Sequence, residues 1–438
     1  MSTLNDVVIT KLSGGLGRRN PEQDMVSGLL FDGVATTKLA LNKIERLASL
    51  EDAEALGITA DYDVNGQSAF YQIQQFFRMN PSGDLYIMAT TGTSYEEIAG
   101  KAMDMQEKAN GNIRQIAIIY SGATTFAQTQ AAILKAQTQA DLAYKDYMPF
   151  EVILEGKGFT VNAASLAGSD AENVSVVVAM DVEKAFAQKL FRKDTLKLYN
   201  LASNEELVPL EGALDVYNVR NAEGLKKENG AALEFVFKDS YKNTAAVGLA
   251  LGAISKAKVS ENIAWIEKFN LTGEGFAKAG FVGGEEIKTL GTLSELNEKR
   301  FIFARTHTGL PGVYFNDSST CTTGTSDFAY VENNRTINKA TRLLRAALLP
   351  KLASPVLVDI DGKLPQSVSK SFEGLCRSAL EGMVANQEVS AFDVYVDPKQ
   401  NILATSELKV KAEITPIGTA RKIMVDLGFK NPFGIDKA

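Results

Sequence analysis

At 438 residues, with 45% hydrophobic and 23% charged residues, the chain is long for one core, so two or three domains of an ordinary soluble protein are expected. Its net charge of −7 speaks against a general nucleic-acid or anionic-membrane binder. No apolar run can cross a bilayer, since the best, TAAVGLALGAI (244–254), has about half the length needed; MSTLNDVV lacks a secretory signal pattern, and the distant Cys321 and Cys376 read as reduced packing thiols of a protein made in a cytoplasm.

The chain opens on NDVVITKL (5–12), a short strand with nothing beside it to pair with, carrying Val7, Val8, Ile9 and Leu12. SGGLGRRNP (13–21) follows as a flexible tether through Gly14, Gly15 and Gly17. An isolated strand on a glycine tether needs an existing sheet edge. Residues 29–47 read as two strands around an Asp32-Gly33 turn. A short helix follows, with Ser49 as N-cap, Asp52 three residues on and Gly57 as its C-terminal glycine.

From about 67 to 180 helix and strand alternate. AFYQIQQFFRM (69–79) has helical spacing, and DLYIMAT (84–90) is a buried strand. Residues 94–109 read as one helix, with Ser94 capping and Glu97 reaching back. IRQIAIIYS, FEVILEG and VSVVVAM are further strands, and 126–144 is a long helix. This βαβα run predicts a parallel, doubly wound α/β layer. The charged stretch 181–243 reads as an inserted element. An apolar helix follows it, in which Gly248 and Gly252 lie one turn apart and allow close helix–helix packing.

In the C-terminal third a Thr/Ser-rich loop (316–326) precedes a helix that ends near Pro350. PVLVD (355–359) reads as a strand, 367–388 as a helix and 389–397 as a strand. ELKVKAEI (407–414) and RKIMVDL (421–427) read as a terminal hairpin, with Leu408, Val410, Ile414, Ile423, Val425 and Leu427 as apolar positions. Two helices on an antiparallel sheet make an α+β domain.

Chemistry is sparse. The single histidine, His307, excludes His-rich metal sites, and no G-x-S-x-G elbow accompanies it. SGGLGRR lacks GK[ST], and DIDGK (359–363) has Lys370 where a calcium loop needs Glu. ATTGTS (89–94) and YSGATT (120–125) follow strands and open helices, where backbone N–H groups can hold an anion or simply form capped loops. Arg335, Lys339, Arg342 and Arg345 recur at helical steps as a basic stripe, either a solvated face or a dock for an acidic partner.

The order of SLEDAEALGITADYD (49–63), AFYQIQQFFRMNPSGDLYIM (69–88), AAVGLALGAISKAKVSENIAWIE (245–267), YVENNRTINKATRLLRAALLP (330–350) and PIGTARKIMVDLGFKNP (416–432) resembles the contractile tail sheath family. Residues 181–243 find no counterpart in it. The resemblance implies a structural, non-enzymatic subunit without cofactor or metal, one that forms stacked hexameric rings around an inner tube and contracts once. It implies an N-terminal strand arm (1–20), an outer α/β domain (21–320) and a C-terminal sheath core (321–438), completed by strands exchanged between protomers about the Gly14–Gly17 hinge. Implied partners are further copies of the chain, the tube protein, and baseplate and tail-terminator proteins, with no nucleic acid and no membrane insertion. Assembly in a bacterial cytoplasm, as part of a phage tail or injection particle, is expected. Either the Arg335–Arg345 stripe or the 367–385 helix would touch the tube. The alternative is a soluble α/β enzyme or ligand-binding protein using the 89–94 and 120–125 loops.

Overall fold

A computed structural model describes residues 23–63, 67–182, 188–194, 197–200, 206–207, 234–239 and 243–429, with side chains outside residue 61 and 183–242. The N-terminal strand and hinge (Val7, Val8, Ile9, Leu12, Gly14, Gly15, Gly17) lie outside these residues.

The central layer is a six-stranded sheet. It contains β1 (Val26–Asp32), β2 (Ile44–Leu47), β3 (Asp84–Thr90), β4 (Gln115–Ile119), β5 (Glu151–Glu155) and β6 (Val174–Val177) in the order β2-β3-β1-β4-β5-β6. All neighbours pair in parallel except β2, which lies antiparallel to β3 at the edge. Strands covered on both faces read as continuous apolar runs, and β4 (QIAII) and β5 (EVILE) are buried throughout. The two strands expected around an Asp32-Gly33 turn are present as β1 and β2, but no turn forms there and they are not neighbours. β1 occupies the sheet centre, running from Val26↔Asp84 to Asp32↔Thr90 against β3, and the chain crosses β3 to reach β2. The apolar pattern marks both strands but not which neighbour each takes.

Helices α1 (Leu50–Ala55), α2 (Ala69–Met79), α3 (Tyr95–Ala99), α4 (Ala102–Lys108), α5 (Phe126–Lys145) and α6 (Val247–Lys256) pack around this sheet. The helix expected over 94–109 breaks at Gly100, whose residue type favours a break. α2 and α6 pack against each other through the paired glycines, as expected. A Cβ on Gly248 would meet the Gln72 carbonyl oxygen at 2.0 Å, and one on Gly252 the Phe76 carbonyl oxygen at 2.8 Å.

Among its described residues, the inserted stretch has four antiparallel strands in the order β10-β9-β8-β11: β8 (Gln188–Asp194), β9 (Lys197–Asn200), β10 (Glu206–Leu207) and β11 (Glu234–Asp239). It is bracketed by β7 (Ala179–Asp181), which pairs with β12 (Ala279–Phe281). α7 (Leu290–Glu298) and the hairpin of β13 (Ala304–His307) and β14 (Leu310–Phe315) complete the larger unit. Among the described residues, one apolar core runs through it, from Val26 to Val331.

The C-terminal unit has its own small cores, one around Cys376, Leu380, Met383 and Val394 and one around Leu364, Phe372 and Val396. It is built from α8 (Val331–Leu348), α9 (Gln366–Ala385), β15 (Val389–Tyr395) and β16 (Lys411–Pro416). PVLVD forms no strand, although the Asp359–Gly362 turn is present, with Gly362 N donating to Asp359 O at 3.0 Å. The expected 407–427 hairpin is also absent. β16 pairs antiparallel with β15, from Val389↔Pro416 to Tyr395↔Lys411, and residues 421–427 form no strand. Among the described residues, β15 and β16 pair only with each other.

Candidate assembly surface

α8 joins the two units, and its basic residues do the joining. Arg335 is 4% exposed and donates to the carbonyls of Asp24, Ala257 and Lys258 at 3.2 Å. Lys339 bridges Asp24 and Glu388, each at 2.6 Å, and Arg342 reaches Asp24 at 2.6 Å. Arg345 lies 3.6 Å over the Tyr147 ring. The stripe read as either a solvated face or a dock for an acidic partner thus makes its contacts within the chain. Its spacing marked a charged helix face, but the carboxylates that meet it lie far away in sequence.

Burial pushes the Asp24 carboxyl up, but the Lys339 hydrogen bond and the charges of Lys339, Arg342 and Arg335 outweigh it and hold the group below its usual value. Burial pulls Arg335 down to about 10, which leaves it charged at neutral pH. On another side of α8, Asn334 and Asn338 donate to the Glu151 carboxyl at the start of β5, joined by Asn173. Burial raises Glu151 to about 8 even so.

A second cluster sits at the start of α8. Asp317, Ser318 and Glu332 are buried, and the first part of the Thr/Ser-rich loop, 317–322, is buried with them. Asn262 Nδ2 donates to Asp317 (2.6 Å) and Glu332 (3.0 Å), and Ser318 donates to Glu332. Burial raises the Glu332 carboxyl, against the pull of Arg421 and Ser318. The cation here comes from the C-terminal tail. Arg421 Nε lies 3.0 Å from Asp317, its Nη2 meets Glu332, and its guanidinium stacks 3.4 Å over Tyr330. Tyr330 also receives Arg300 at 4.7 Å. Sequence reasoning missed this cluster. The loop's composition suggests a solvated turn, and nothing local to Arg421 names its partners.

Beyond Arg421 the described tail has no regular secondary structure and is exposed. Ile423, Val425, Leu427 and Phe429 are 81%, 77%, 94% and 109% exposed. Their two-residue spacing would place them on one face if the segment were paired as a strand. Upstream, Ile414 lies in β16 opposite Phe392, while Leu408 and Val410 pack half-buried against the small C-terminal cores. β16 is exposed apart from the half-buried Ile414. Two strands are marginal as an independent sheet.

α9 holds this sheet through Arg377, which donates to Val394 O at 2.9 Å, and Glu373, which accepts from Val396 N at 3.0 Å. Its outward face carries small residues: Ser371, Gly374, Ser378, Gly382 and Ala385 are exposed, and a Cβ on either glycine would touch nothing within 4 Å.

The two loops of the alternative reading are closed by their own side chains. Glu97 Oε2 accepts from Thr93 N (2.8 Å) and Ser94 Oγ from Glu97 N (3.1 Å). Gln128 Oε1 accepts from Thr124 N (2.9 Å) and Thr125 N (3.1 Å). His307 lies on β13 beside Tyr314, its pKa lowered by burial and by Arg305. Burial pushes the Cys321 thiol up, away from reactivity. Among the described residues, no group of three or more His, Cys, Asp or Glu is placed for a metal ion, and no helix is long and apolar enough to cross a membrane.

The chain resembles several solved structures over nearly its whole length. A chain of the anti-feeding prophage helical sheath in its contracted state superposes with a TM-score of 0.59 at 12% identity, covering 98% of this chain and 100% of that one. A chain of the anti-feeding prophage baseplate gives 0.58 at 12% identity, with 98% and 100% coverage. A chain of the contracted PVC sheath complex, from an extracellular contractile injection system, gives 0.54 at 11% identity, with 98% of each chain covered. At these identities the likeness establishes the fold. No curated protein matches by sequence. Two family models do match, the DUF2586 N-terminal domain over residues 4–319 and the DUF2586 C-terminal domain over 327–434. The chain therefore belongs to the DUF2586 family, on a fold shared with chains of contractile-sheath assemblies.

Proposed function

We propose that this chain is a structural subunit of a contractile sheath. The observation that carries the proposal is the tail: a run of alternating apolar residues, exposed in its own protomer, follows a two-stranded sheet whose outer strand is also exposed. Each of these features is unfavourable alone, and together they complete each other between copies by strand addition. In this reading the 423–429 segment of one protomer, and the 5–12 strand of another, add to the β15–β16 sheet of a third. Protomers so linked form hexameric rings stacked around an inner tube, with the glycine tether (14–17) as hinge. Baseplate and terminator proteins bound the stack. Triggering lets the rings approach while the arms keep them connected, and energy stored in unformed contacts is released once.

The tube contact belongs to α9 rather than to the α8 stripe. Arg335, Lys339, Arg342 and Arg345 are engaged within the protomer, whereas the small outward face of α9 permits close approach of another surface. The ligand-binding alternative loses its support because side chains already satisfy N–H groups at both loops. Deleting residues 422–438 tests the reading. A folded protomer that no longer polymerises is expected, and unchanged polymerisation would overturn strand exchange by the tail.

A further inference from the structure

Between the end of β16 and Phe429 the tail is exposed almost throughout, and Arg421 is the side chain that ties it down. The receptor for that side chain is built to take a guanidinium. Asp317 and Glu332 present two buried carboxylates, Asn262 donates to Asp317 Oδ1 and Glu332 Oε1, Ser318 Oγ donates to Glu332 Oε2, and Tyr330 offers a ring face at 3.4 Å. A planar guanidinium can meet two carboxylates along its edge while stacking by its face, which the point charge of a lysine cannot do. Lys258, Lys268 and Arg300 are directed elsewhere: to the Asn386 carbonyl, to Glu261, and to the Thr320 and Ala329 carbonyls. The two buried acids therefore draw their counter-ion from the tail.

We infer that the Asp317–Glu332–Tyr330 cluster is a guanidinium receptor that clamps Arg421 and so fixes where, and in which direction, the apolar 423–429 segment leaves its protomer. The inference rests on the strand-exchange reading for its consequence and deepens it. A strand projected from a fixed pivot samples few orientations and meets one neighbour in one register. A strand free from Pro416 onward pays the orientational entropy at every joint of the polymer. The two carboxylates also tie the clamp to the seam, because Glu332 lies in the first turn of α8.

The clamp is tested in the full-length protein, kept dilute enough to remain unassembled. Nitroxide labels are placed at the exposed Leu134 of α5 and Met424 of the tail through cysteine substitutions, and their separation is measured by double electron–electron resonance. The native cysteines are buried and do not compete for label. A single narrow distance band is expected with Arg421, and loss of that band in Arg421→Ala. Arg421→Ala leaves two buried acids unpaired, so R421A/D317N/E332Q serves as the variant that keeps the seam neutral, and it should lose the band equally. Lys422→Ala should keep it. A band as narrow in both arginine variants as in the parent overturns the clamp. The deletion of 422–438 separates the two claims. If it polymerises normally, the exchange reading is wrong; if it fails to polymerise while both arginine variants keep the narrow band, only the clamp is wrong.

Discussion

The backbone of Gly248 lies against the carbonyl of Gln72, so close that a methyl group on Gly248 would sit 2.0 Å from that oxygen. Gln72 also grips the helix start with both ends of its amide: its Nε2 donates to Ala245 O and its Oε1 accepts from Gly248 N, each at 2.7 Å. One buried residue thus supplies an acceptor to the open first turn of α6 while its own backbone admits only glycine opposite. Gly248→Ala should cost about 1–3 kcal/mol or more from overpacking, and Gly252→Ala less, since its contact is 2.8 Å. Urea denaturation of the two variants measures the difference, and equal midpoints would contradict the packing account.

Glu151 should make the protein less stable as pH rises. Its carboxyl is raised by burial to about 8, above an unfolded value near 4.5, so the folded state binds the extra proton across that window. The contribution is fully present below the unfolded value and is lost as pH climbs through about 8. Glu155, raised by burial to about 7, adds a slope of the same sign. Glu151→Gln should flatten the stability profile between these limits and raise the denaturation midpoint at alkaline pH. A variant that parallels the parent throughout would contradict the shift.

Asp24 is the shared counter-ion of Lys339 and Arg342, and its backbone carbonyl accepts from Arg335. Asp24→Asn should cost about 2 kcal/mol, toward the low end for charged hydrogen bonds because both partner cations keep some exposure. Its pKa is held below the usual value, so this contribution is present above the unfolded value and disappears as pH falls through the folded one. Limited proteolysis at the junction before α8 should quicken in the variant. Cleavage at the parental rate would show that the pairs do not fasten the units.

The outward glycines of α9 give the tube contact a discriminating pair of variants. Gly374→Ala should stabilise the protomer by about 0.5–1 kcal/mol, because an exposed helix interior favours alanine and nothing lies within 4 Å. Gly374→Arg should leave the protomer folded and stop assembly on tube. Normal tube-templated assembly of Gly374→Arg would remove α9 from the contact.

Elements with strong periodicity were legible in the sequence: β3 to β6, α2, the Ser94–Glu97 cap and the glycine-mediated contact of α6. What failed was partnership. The pattern over 29–47 marked two strands but not the crossing that separates them, and alternation over 421–427 suggested a strand without saying that β16 takes β15 instead. Register and partner are set by tertiary packing, which local alternation does not encode. The basic stripe failed for a related reason. Arg335 and Arg342 were read as solvated or free to dock, yet the groups that satisfy them, Asp24 and the 257–258 carbonyls, come from distant sequence. The Arg421 receptor left no signal, because a Thr/Ser-rich loop looks the same whether it lies in water or in a seam.

Negative-stain electron microscopy of the purified full-length protein, alone and with an inner-tube protein, tests the central claim most directly. The sheath reading predicts hollow cylinders with a regular helical repeat, whose pitch reports the contraction state. A uniform field of small particles at high protein concentration, unchanged by added tube, would contradict it.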